Sequence, residues 1–143
     1  MELLVVMAII AIILAVALPI MTRARLGAEE TMVVKEIHTI AQCQTQYQSQ
    51  FGKYAATLAE LGPPVRGGAE GPQAAHLIPA SLASGEKDGY RFVLTATAGG
   101  YTLVATPEVF GKTGRRTFFL DQDGIVHQNW GPEMASLDSP EFK

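Results

Sequence analysis

Residues 2–21 read ELLVVMAIIAIILAVALPIM, and this stretch decides the architecture. From Leu3 to Met21 every side chain is apolar, Pro19 is the only residue unfriendly to a helix, and Glu2 carries the one charge. At a rise of about 1.5 Å per residue such a run spans about 28 Å, the hydrocarbon thickness of a bilayer, so a transmembrane helix is predicted. A secretory signal peptide is the rival, because Ala15-Val16-Ala17 has the small-residue pattern of a cleavage site. Such a peptide opens with a positive segment, whereas here an acid follows Met1. Glu2 needs compensation, since a carboxylate at the bilayer centre costs on the order of 3 kcal/mol and less near the interface. It obtains this either at headgroup level, beside the positive end of the helix dipole, or among copies of the helix, where it pairs with a neighbour's terminal ammonium.

Outward from this stretch, Thr22 to Phe51 continues the helix. Val33, Ile37, Ile40, Tyr47 and Phe51 recur mostly at helical spacing, and Arg23, Arg25, Glu29, Glu30, Lys35 and Glu36 supply the polar residues around them. Gly52 is the expected stop. Gln42, Gln44, Gln46, Gln48 and Gln50 alternate with the period of a strand. Helix is nevertheless predicted there, because Gln is a good helix former and the segment extends a stronger helical pattern. Pro19 and Gly27 are the two points where this helix of residues 2–51 can bend or lose hydrogen bonds.

The remainder reads as a small antiparallel sheet of about four strands. Tyr54 to Leu61 is a short element, followed by a loop rich in Gly and Pro around Gly62-Pro63-Pro64, Gly67-Gly68 and Gly71-Pro72. Gly89 to Thr97 alternates Tyr90, Phe92, Leu94 and Ala96 against Arg91, Val93, Thr95 and Thr97, and Ala98-Gly99-Gly100 turns it into Tyr101 to Pro107. That is a hairpin. Thr117 to Asp121 and Ile125 to Gln128, separated by Gln122-Asp123-Gly124, form a second. The class is α+β, one long helix packed on the sheet. It divides into an apolar half over 1–21 and a head over 22–143, the latter holding the amphipathic helix half, a loop region over 52–88 and the sheet with its tail over 89–143.

Glu2-Leu3-Leu4-Val5-Val6-Met7-Ala8-Ile9-Ile10-Ala11-Ile12 followed by Ala17-Leu18-Pro19 closely resembles the N-terminus of mature type IV pilins and their pseudopilin relatives. The order of long helix, loop and sheet is similar to theirs too, though less specifically. The resemblance implies a filament subunit that is stored in the bacterial inner membrane and moves to an extracellular surface filament, with Glu2, Leu3, Leu4, Val6, Ile9, Ile10, Ile13 and Pro19 as assembly residues. It implies as partners identical subunits, a prepilin peptidase, and an inner-membrane assembly platform with its ATPase. Within the family, the major pseudopilin of a type II secretion system, a short periplasmic piston, is the alternative; from another class, a monomeric membrane-anchored binding domain. The family's short basic leader and its first residue, Phe, would precede Met1. Arg23 and Arg25 after the apolar run favour a cytoplasmic head by the positive-inside rule, whereas the family topology, with its basic leader, puts the head outside the inner membrane.

Composition excludes other classes. A net charge of -3 and the absence of basic runs give no footprint for nucleic acid. The single cysteine, Cys43, allows no intrachain disulfide, and a buried structural thiol is expected of it. Gly111-Lys112-Thr113 has Thr106 where a phosphate loop needs its first glycine, so an inter-strand loop is expected. Asp121 and Asp123 before Gly124 lack the remaining ligands of a calcium loop and read as a hairpin turn. His38, His76 and His127 have no paired spacing, so no metal is expected. No cofactor, nucleophile elbow or catalytic constellation is read, and assembly is the function with positive support.

Overall fold

The computed structural model describes residues 1–143. Helix α1 runs unbroken over Glu2–Phe51, through both expected weak points. Proline removes a backbone donor at position 19. Just beyond it the Thr22 hydroxyl donates to the Leu18 carbonyl at 3.0 Å, and the Thr31 hydroxyl does the same to Gly27 at 2.9 Å. The glutamine run is helical, as expected, and Gln44 is buried. Its Nε2 donates to the Ala55 carbonyl at 3.0 Å while its Oε1 accepts the Ala55 N–H at 2.8 Å, so one amide side chain pins the chain just after the helix. The helix stops at Gly52, whose φ of 74° is left-handed and whose N–H closes on the Gln48 carbonyl at 2.8 Å. Any Cβ there would be strained.

Between residues 52 and 88 the chain forms only short pieces: α2 (Leu58–Leu61), a single tight turn (Val65–Gly67) and α3 (Ala80–Ala83). The Thr57 hydroxyl accepts the Glu60 N–H and the Glu60 carboxylate accepts the Ala56 N–H, a reciprocal cap that lets four residues hold a helical turn.

The sheet has five strands rather than about four, in the order β1 (Glu86–Lys87), β2 (Tyr90–Thr97), β3 (Gly100–Pro107), β4 (Arg116–Asp121) and β5 (His127–Trp130), each antiparallel to the next. The added strand, β1, is two residues long and therefore has no alternation to read in the sequence. The last strand lies two residues beyond its expected position. Val126 packs in the core and accepts the Phe142 N–H at 2.7 Å, so it pairs with the C-terminal tail instead of with β4. Pairing with β4 begins at His127, opposite Phe119. Tyr90, Phe92 and Leu94 on β2 point inward, as their alternation predicts. They meet Leu103, Phe118 and Leu120 from the neighbouring strands, and Val33, Ile37 and Ile40 from α1, in one core.

Candidate assembly surface

The core covers only the second half of α1. Its first buried residue is Leu26, and no residue before it is buried. Leu3, Leu4, Val6, Ile9, Ile10 and Ile13 are between 47% and 74% exposed, and Glu2 and Pro19 are exposed with them. At 100° per residue these positions circle the helix, so the apolar surface is a rod and not a stripe. A continuous apolar surface of this extent is far beyond what a monomer leaves in water. The helix is long and apolar enough to cross a membrane, and none of its most apolar stretch is buried against the head.

What holds the rod to the head is a buried carboxylate. Glu30 is fully buried and accepts the Arg115 N–H at 2.7 Å and Arg116 Nε at 2.9 Å, with Arg116 Nη2 also at 2.7 Å. The Arg116 guanidinium in turn donates to Gln128 at 2.8 Å and lies 4.6 Å from the centre of the Trp130 ring. Helix, β4 and β5 are therefore clamped through one charge about 13 Å along the axis from Met21. Glu30, read from the sequence as one of the polar residues around the apolar positions of this helix half, is instead packed among them. The signal was in the sequence, because Glu30 falls in the register of Leu26, Val33 and Ile37 on the face that packs. A second tie, between Lys87 and Glu36, is largely buried.

The remaining candidates stay apart. His76 Nδ1 meets Glu70 at 2.9 Å on the surface, His127 Nδ1 lies 2.7 Å from the Ser139 carbonyl, and His38 is exposed on α1. Gly111-Lys112-Thr113 lies in the loop between β3 and β4, as expected. Asp121 uses its carboxylate to accept the Asp123 N–H at 3.0 Å, so it shapes the turn. Cys43 is half-buried instead of buried, and points its thiol at the Leu77 carbonyl, 3.4 Å away. Burial pushes that thiol's pKa up, which makes it a poor nucleophile.

A family model described as a protein of unknown function, DUF2950, matches residues 79–139. The match contains α3 and all five strands, and leaves α1 outside it. No curated protein and no solved structure matches the chain.

Proposed function

We propose that the chain is a filament subunit of the type IV pilin class, held in a membrane by residues 1–21 before it polymerises through them. The observation that carries this reading is the bare rod: an apolar helix half exposed on every side, projecting from a head whose core is complete without it. Lipid covers such a surface in one state and neighbouring copies cover it in the other. Because lipid is already apolar, exchanging one cover for the other gains little hydrophobic energy, and packing plus polar pairing must favour the polymer. Glu2 is the polar group in the right place, and an assembly ATPase and platform would supply the work of extraction.

Replacing Glu2 with Ala is expected to leave membrane insertion intact, read by flotation with vesicles, while filament yield in electron micrographs falls at least about tenfold, the effect of roughly one charge-assisted contact per subunit. Unchanged filament yield would remove Glu2 from assembly.

The secretion pseudopilin is a second reading, favoured by how the tail is fastened. Where many pilins use a C-terminal cysteine pair, this chain has one cysteine and ties its tail by hydrogen bonds, Phe142 N–H to Val126 and Gln128 N–H to Pro140. Deletion that abolishes secretion of exoproteins and spares surface fibres would select it.

A further inference from the structure

A groove of about 990 Å³ lies at the foot of the head, where the rod emerges. Its floor is α1 from Leu18 and Met21, inside the apolar run, through Arg25 to Met32, an axial distance of about 21 Å. The facing wall is made by Asp88 and Gly89 between β1 and β2 and by Lys112 and Thr113 in the β3–β4 loop. That wall is preformed. The Thr113 N–H bonds the Val109 carbonyl at 3.0 Å, Gly111 bonds Gly114 at 2.8 Å, and Glu108 ties the loop to Gly89 at 2.9 Å.

The lining changes character along its length in the way a membrane boundary does. Its lower end, at Leu18 and Met21, belongs to the apolar run; its upper end carries both signs of charge. Arg25 is held by Glu29 at 2.9 Å, whereas Lys112 and Asp88 have no ion-pair partner within 4.0 Å. A ligand that suits both ends has a hydrocarbon part, an anion and a cation.

We propose that this groove seats one phospholipid with a zwitterionic, primary-ammonium headgroup while the chain waits in the membrane. An acyl chain lies along Leu18 and Met21, the phosphate faces the Lys112 ammonium, and the headgroup ammonium faces Asp88. The balance of one free cation against one free acid favours this headgroup over a purely anionic one, which Asp88 repels. The site is continuous with the membrane-spanning half of α1, and the proposal rests on the anchored state described above.

The test uses the full chain in vesicles of phosphatidylethanolamine and phosphatidylcholine, with a diazirine amino acid placed singly at Ala28, Thr31 or Ile10. Ala28 lines the groove; Thr31 is exposed on α1 outside it. Irradiation and mass spectrometry are expected to give a phosphatidylethanolamine adduct at position 28 about tenfold above that at 31, and Lys112→Glu to reduce it by a similar factor, the order of one charge-assisted hydrogen bond. Equal adducts at 28 and 31 would overturn the site. So would an adduct at 28 to a second chain, which would make the occupant another copy. A lack of lipid adduct at Ile10 would instead overturn the anchored state itself, and this site with it.

Discussion

Glu30 shows what one residue does for this fold. An ionised carboxylate is costly to bury unless its acceptor positions are filled, and here two successive residues at the start of β4 fill them from backbone and guanidinium. Glu30→Ala leaves the Arg116 charge buried without its partner, and a loss of about 3–5 kcal/mol is expected in urea unfolding of the detergent-solubilised chain. Replacing both Glu30 and Arg116 by Met should recover much of that loss, because an apolar pair of similar volume removes the unpaired charge. Tyr101 gives a pH dependence of opposite origin. Desolvation first, then Tyr54 and Asp121 nearby, push its phenol up to about 12. Below about pH 10 both folded and unfolded states keep the proton and the phenol contributes no slope. Between about pH 10 and 12 the unfolded chain ionises first, so stability falls as pH rises. Tyr90, raised by burial and by the Glu30 charge, adds to the fall. Tyr101→Phe should flatten part of this alkaline slope, read as unfolding midpoints from pH 8 to 12, and should change little at pH 7.

At the scale of elements, the β3–β4 loop depends on a glycine where the backbone passes the Tyr90 hydroxyl. A Cβ at Gly114 would land on that ring, which is fully buried and whose hydroxyl donates to the Arg116 carbonyl at 2.8 Å. Gly114→Ala is expected to cost about 1–3 kcal/mol by overpacking, and to raise hydrogen exchange at Gly111 and Thr113, whose N–H groups close the loop. Unchanged exchange there would show that Tyr90 gives way instead. The contrast between elements explains what could be read in advance. α1 was legible from end to end because two independent patterns, an apolar run and a helical spacing, agree with a glycine stop. The β2–β3 hairpin was legible because eight residues alternate cleanly about a glycine turn. β1 was not, since two residues carry no period, and β5 was displaced because Val126 pairs with a tail that lies sixteen residues further on, a non-local choice that no window reveals. The rod was likewise visible in the sequence, and so was the register that buries Glu30, whereas its clamp to the sheet and the groove were hidden. Both depend on Arg115, Arg116, Asp88 and Lys112 arriving beside α1 from more than fifty residues away.

Across the whole molecule, rod and head differ in what covers them. The core engages α1 only from Leu26 onward, so the head's stability should be indifferent to the rod. Deleting residues 1–21 removes no buried side chain and removes Pro19 with them. The new N-terminus places a positive charge at the start of the helix, which costs a few tenths of a kcal/mol through the dipole. Compared in the same detergent, the shortened chain is therefore expected to unfold within about 0.5 kcal/mol of the full one, to keep its near-ultraviolet spectrum, and to stop floating with vesicles. Flotation that persists after the deletion would place the membrane contact in the head and take the anchor away from the rod. A stability loss well above 1 kcal/mol would mean that the apolar half folds back on the head in solution, and such a half would not be free to exchange lipid for the helices of neighbouring subunits.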